Sequence, residues 1–287
     1  MILHPPQKPD TSPYLVEPDW VAEHLDNLMI FDGSWVLPTD TTDITQVYLY
    51  GHIPGAGLFD VNVIKDTSNP LPHMLPNPEQ MTKHLRTLGV NKDSTIIIYE
   101  QQGFFNAARV WWMLRAYGLK SYILDGGLPR WIAEGYMFET GHSMRPASDV
   151  EVAFHPELVS DLIAVRKAID NQSAQIVDAR PAVRFRGSEE EPRPGVRSGH
   201  IPGSVNLPYT ELLNSGRLKN LDELDRAIKN AGIDPSQPII STCGSAVTAA
   251  ILCFALCSLS YDNWSLYDGS WAEWGSREDC PVERSAA

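Results

Sequence analysis

Short β-branched runs alternate with stretches of helical period along the chain, and the whole alternation occurs twice. In the first round the spacing predicts a helix over 17–28, a strand over 28–31 that ends in Asp32, and a polar stretch over 39–46 leading to Gly-His-Ile-Pro-Gly-Ala at 51–56. A helix over 81–88 stops at Gly89, a buried strand covers 95–99, and a helix over 106–117 stops at Gly118. A strand over 121–124 then runs into Asp125-Gly126-Gly127 and a short helix through Trp131.

The same order returns as a helix over 159–171, a strand over 175–177 ending in Asp178, Gly-His-Ile-Pro-Gly-Ser at 199–204, a helix over 221–231 ending at Gly232, a strand over 239–242, and Asp268-Gly269-Ser270 ahead of Trp271 and Trp274. Asp32 answers to Asp178, His52 to His200 and Trp131 to Trp274. This repeat predicts an α/β protein of two tandem domains, each a mostly parallel sheet flanked by helices. The expected limits are 1–140 and 157–287, with the polar stretch 141–156 as linker. Residues 1–13, which hold four prolines and no apolar period, are expected to form a loose leader. In such folds ligands bind where strands hand over to helices at the carboxyl edge of the sheet.

Composition narrows the function. A net charge of −13 and a pI near 5.0 argue against a nucleic-acid partner or an anionic membrane surface. There is no apolar run of the ~18 residues a membrane span needs and no signal-peptide pattern at the start, so the expected compartment is the cytoplasm. The four cysteines, all after position 242, are too few and too clustered for a disulfide scaffold, and no Cys-x-x-Cys pair or nearby histidine calls for a metal. No metal and no cofactor are expected. Cys253 and Cys257 are spaced to pack one face of a helix, and Cys280 lies in the tail.

A repeat carries its own control, because residues present in both copies serve the fold first. The doubled Gly-His-Ile-Pro-Gly therefore reads mainly as a turn, with His200 structural. Cys243 stands in one copy alone. Its surroundings, 238–256, read as a buried strand, a turn of small residues and an apolar helix, which sets the thiol before the first N–H groups of that helix. Such a seat stabilises a thiolate or, once sulfur has been added, a persulfide anion. The first copy has Glu100 at that point, followed by Gln-Gln-Gly-Phe-Phe, and so lacks a soft nucleophile. The second copy also gathers Arg180, Arg184, Arg186, Arg193 and Arg197 within 18 positions, whereas the first has Pro38 in the place of Arg184. Guanidinium forks match a small carboxylic acid held above the cysteine. The plainer readings are a buried cysteine without chemistry and a solvated loop whose arginines pair with Glu189, Glu190 and Glu191.

These residues resemble the rhodanese superfamily, in particular its two-domain sulfurtransferases with an inactive first domain and a catalytic second one, from about Leu15 to Trp274. Cys-Gly-Ser-Ala-Val-Thr at 243–248 is similar to the Cys-Gly-Ser-Gly-Val-Thr loop of members that use 3-mercaptopyruvate. It departs from that loop at Ala246, whose methyl group is expected to alter the backbone path or narrow the pocket. The resemblance implies that Cys243 attacks the sulfur of 3-mercaptopyruvate, becomes a persulfide and releases pyruvate, and that a thiol acceptor such as thioredoxin, or cyanide, removes the outer sulfur. It implies a cradle of Gly244, Ser245, Ala246, Val247 and Thr248, carboxylate-binding arginines at Arg184 and Arg193, and a proton relay of Ser245 with His52 and Asp43, or Asp40 in another register.

Two rivals share the cysteine: thiosulfate:cyanide transfer, for which Gly244 and Ser245 lack a basic side chain, and a non-catalytic persulfide carrier, against which the arginine cluster argues. A phosphatase of related fold needs an arginine six positions after the cysteine, where Ala249 stands.

Overall fold

The computed structural model describes residues 3–285. The chain divides into two compact units, the first made of the residues up to Ser68, Leu75–His155 and Ser215–Leu218, the second of Asn69–Met74, Pro156–Asn214 and the residues from Lys219 on.

In the first unit Leu15–Val16 (β1), Leu28–Asp32 (β2), Gly57–Leu58 (β3), Thr95–Tyr99 (β4) and Ser121–Leu124 (β5) form a sheet in the order β1-β5-β4-β2-β3. The second unit repeats that order as β6-β10-β9-β7-β8, with Val159–Ser160 (β6), Gln175–Asp178 (β7), Val205–Asn206 (β8), Ile239–Thr242 (β9) and Trp264–Tyr267 (β10). Every pairing in both sheets is parallel. The middle strands β4 and β9 are buried at every residue, which their β-branched sequences allow and a sheet covered on both faces requires.

The flanking helices are Pro18–Glu23 (α1), Ile44–Tyr50 (α2), Pro78–Thr87 (α3), Ala107–Ala116 (α4) and Gly127–Ala133 (α5), then Leu162–Asn171 (α6), Ala182–Arg186 (α7), Leu221–Asn230 (α8), Ala249–Ser258 (α9) and Ser270–Trp274 (α10). Duplication extends to the caps. Asn77 with Gln80 opens α3 and Asn220 with Glu223 opens α8, each by a reciprocal capping box. Gly89 and Gly232 follow those helices with φ of 75° and 78°. The helix α9 is apolar all round and wholly buried, so Cys253 and Cys257 pack in the core, where burial pushes the Cys253 thiol far up.

The doubled Gly-His-Ile-Pro-Gly is one device used twice. Nδ1 of His52 donates to the Tyr48 carbonyl at 3.0 Å, its ring stacks on Tyr48, and its backbone bridges Glu139. His200 does the same with the Phe185 carbonyl at 2.8 Å, the Phe185 ring and Glu283. The carboxylates of Glu139 and Glu283 then accept from the amides of Gly55 and Gly203.

Four local expectations are corrected. The helix over 17–28 is two pieces, α1 and a 3₁₀ turn over Leu25–Asn27, and just before it Leu15 and Val16 pair with β5 as the edge strand β1, which the spacing did not predict. Val159 and Ser160 likewise pair with β10, and the helix begins only after Asp161, whose carboxylate caps the Ala164 amide at 2.7 Å. The polar stretch 39–46 runs into α2. The leader is tied down, since the Leu3 amide donates to Thr95 Oγ1 at 2.8 Å and Ser12 is buried.

Candidate active site

Three neighbouring strands of the second unit deliver the site from their carboxyl ends. The middle strand β9 ends at Thr242 and hands over to Cys243, β7 on one side leads to Arg180, and β10 on the other leads to Ser270. Cys243 is a free thiol with 2% of its surface exposed. Its amide donates to Ser270 Oγ at 3.3 Å and its carbonyl accepts from the Trp271 amide at 2.9 Å, while the Gly244 carbonyl accepts from the Ala272 amide at 2.9 Å. The opening of α10 thus holds the cysteine by its backbone. Behind the loop Thr248 leads into α9, a ten-residue helix with the positive end of its dipole at the end that follows the loop. Ala246 is buried and has φ of +62°, the left-handed conformation that glycine adopts freely.

The arginines sort into different employments. Arg193 donates to Ser245 Oγ at 3.3 Å and makes no ion pair among the described residues; burial lowers its pKa, with Cys243 the leading opposing influence. Arg184, on α7, binds Glu191 through Nε at 3.2 Å and through Nη2. That guanidinium lies against the cysteine loop, for a Cβ built on Gly244 would meet its Nη2 at 3.1 Å. Arg180 is enclosed: it binds Asp178 through Nε and Nη2, Glu191 through Nη1 at 2.7 Å and the Gly199 carbonyl at 2.8 Å, and it lies over the Trp271 ring. Arg197 is spent on the carbonyls of Trp274, Gly275, Arg277 and Cys280. Of the three glutamates, Glu191 takes arginine partners, whereas Glu189 and Glu190 are exposed.

The family model for the rhodanese-like domain matches this chain twice, over residues 17–134 and 162–277. The chain belongs to the rhodanese-like family. It is 46% identical over 274 residues to a 3-mercaptopyruvate sulfurtransferase of Escherichia coli K12, covering 94% of this chain and 98% of that one. It is 39% identical to a 3-mercaptopyruvate sulfurtransferase of Mus musculus over 92% of each. Among solved structures, SseA from Escherichia coli, described as a 3-mercaptopyruvate sulfotransferase, superposes with a TM-score of 0.84 at 43% identity, over 90% of this chain and 98% of that one.

The first rhodanese unit builds the corresponding loop around a carboxylate. Glu100 follows β4 as Cys243 follows β9, and its oxygens accept from the amides of Phe105 and of Asn106, the latter at 2.7 Å. Burial outweighs those donors and raises its pKa to about 7. Ser34 stands where the second unit has Arg180; both amides donate to the aspartate two residues before them, at 2.9 Å.

The remaining site expectations fall within the first rhodanese unit. His52 is fully buried, and its Nε2 has no hydrogen-bond partner. Asp43 is the N-cap of α2, accepting from the amides of Thr45 and Gln46, and Asp40 accepts from Thr42; both are exposed, and neither is hydrogen-bonded to His52. Ser270 and Glu191 were not singled out from the sequence as site residues. The signal for Ser270 was a serine where the first copy has Gly127. Among the described residues there is no cluster of three or more metal-ligating side chains, and no helix is long and apolar enough to cross a membrane.

Proposed function

We propose that this chain is a sulfurtransferase acting on 3-mercaptopyruvate through Cys243, with the second rhodanese unit catalytic and the first inactive. The Cys243 thiolate attacks the donor sulfur; an S–S bond forms as the C–S bond breaks, and the bonding pair leaves as the enolate of pyruvate, which takes up one proton. A thiolate of a thioredoxin-like acceptor, or cyanide, then attacks the outer sulfur and returns the Cys243 thiolate. We assign the donor carboxylate to Arg184 and Arg193, the sulfur anion to the backbone of residues 244–248, and the proton to Ser245, which is hydrogen-bonded to Arg193. A reducing compartment such as the cytoplasm suits a reaction that needs this thiol free.

The observation that carries this reading is the meeting of Cys243, Arg184 and Arg193 at one strand end, where the first unit has Glu100 on its own amides. The names of the relatives support the same donor. Asp178 and Glu191 offset Arg180 and Arg184, which leaves Arg193 as the one arginine of the three without a carboxylate partner among the described residues, facing the Cys243 thiolate. A single unpaired guanidinium beside a thiolate suits a monocarboxylate better than a dianion such as thiosulfate, which ranks second. Intact-mass measurement after incubation with 3-mercaptopyruvate tests the assignment. The protein should gain one sulfur atom as pyruvate appears, and Cys243→Ser should gain none; a gain that persists in the variant moves the nucleophile elsewhere. His52→Gln, read by the pH profile of pyruvate release, tests the relay that the resemblance implies.

A further inference from the structure

A carboxylate beside an anion-binding site needs a reason, because it repels what the site must attract. Glu191 is such a group: its side chain is only 3% exposed, and it bonds an arginine of the proposed donor site. Both of its oxygens are engaged. Oε1 accepts from Arg180 Nη1 and Arg184 Nε, and Oε2 accepts from Arg184 Nη2. Arg184 is therefore held along one edge of its guanidinium, which fixes the plane and turns Nη1 away from the pairing edge. Arg180 is itself neutralised by Asp178 and clamped over Trp271, so the chain of contacts ends on a rigid base.

We propose that Glu191 is a specificity-determining residue: it aims Arg184 at the cysteine loop and cancels its charge, so that the site presents one unpaired guanidinium, that of Arg193, to a monocarboxylate donor and disfavours dianions. The inference rests on the assignment of Arg184 to the donor carboxylate. Removing the charge of Glu191 then has two effects that differ by donor. The monocarboxylate loses a pre-aimed guanidinium, whereas a dianion gains an uncompensated one.

The test compares Glu191→Gln with the unchanged protein, using 3-mercaptopyruvate and thiosulfate as sulfur donors and cyanide as acceptor. The expected result is a fall of about tenfold in kcat/KM for 3-mercaptopyruvate, carried by KM, with thiosulfate use unchanged or improved. In an Arg184→Ala background the same change should leave KM for 3-mercaptopyruvate within about twofold, since the two residues act as one unit. Equal losses with both donors would mark Glu191 as merely structural and overturn the inference, as would an undiminished kcat/KM for 3-mercaptopyruvate. If Glu191→Gln does not fold, Glu191→Asp, which is too short to hold both guanidinium groups, is read by the same ratio. Should Arg184→Ala alone leave KM unchanged, the assignment of Arg184 falls and this inference with it, whereas a raised KM there with no effect at Glu191 overturns the inference alone.

Discussion

Gly127 and Ser270 stand at the same step of the two rhodanese units, each following an Asp-Gly pair, and both have a left-handed backbone, with φ of 58° and 49°. For serine that conformation costs about 1–2 kcal/mol. The second unit gains from it a hydroxyl that accepts from the Cys243 amide and donates to the Tyr267 carbonyl at 2.8 Å. Ser270→Ala keeps the strain and loses both bonds, whereas Ser270→Gly relieves the strain as it loses them. The alanine variant should be destabilised by about 1–2 kcal/mol and the glycine variant by less, both forming persulfide more slowly. Urea unfolding decides, and an alanine variant as stable as the parent would show that this bond does not hold the loop.

Ala246 meets the same conformational cost without a compensating side-chain hydrogen bond. Ala246→Gly removes the left-handed penalty but gives the unfolded chain more freedom, so the net expectation is a gain of about 0.5–1 kcal/mol. A lower unfolding midpoint would mean that the buried methyl group contributes more by packing than it costs in strain.

Arg184→Ala should raise KM for 3-mercaptopyruvate roughly 10- to 100-fold, the equivalent of a charge-assisted contact worth about 1.5–3 kcal/mol, with kcat little changed. Steady-state kinetics check this, and an unaltered KM would release Arg184 from the donor carboxylate.

At Gly244 the crowding is by a side chain, because an added Cβ would press on Arg184 Nη2. Gly244→Ala should therefore raise KM several-fold while leaving thermal stability near that of the parent. A shift in stability with no shift in KM would show that Arg184 can draw back without consequence for binding.

Glu100 makes the first unit's stability depend on pH. Its folded pKa of about 7 exceeds the ordinary glutamate value of 4.5, so between those values the folded state holds a proton that the unfolded chain releases, and stability falls as the pH rises through that window. Above it the full cost is on the order of 3 kcal/mol. Glu100→Gln does not titrate, so its stability relative to the parent should rise between about pH 5 and pH 8. Unfolding curves at both pH values check this; an unchanged difference would show that Glu100 stays in one protonation state.

Periodicity made the interior of the fold legible, because β4, β9 and α9 are buried on all sides and are built mainly of apolar residues. It missed β1 and took β6 for the start of a helix, because each is two residues that pair with a strand more than a hundred positions away and carry no local period of their own. Cys243 and the arginines were legible as chemistry present in one copy alone. What Glu191 does was not, since three consecutive glutamates look alike in sequence and only the fold turns one of them inward onto Arg180 and Arg184. The cost of Ala246 was hidden for a similar reason: an alanine reveals no φ.

The paired His-to-Glu backbone bridges give the segment around Glu283 a structural duty. Cleavage between Cys280 and Glu283 would unfasten the turn at His200, which packs on Phe185, the residue beside Arg184. Trimming that tail is therefore expected to disturb the surroundings of Arg184, the proposed donor arginine, from a distance, and a fusion partner attached there needs a spacer long enough to leave the fastening undisturbed.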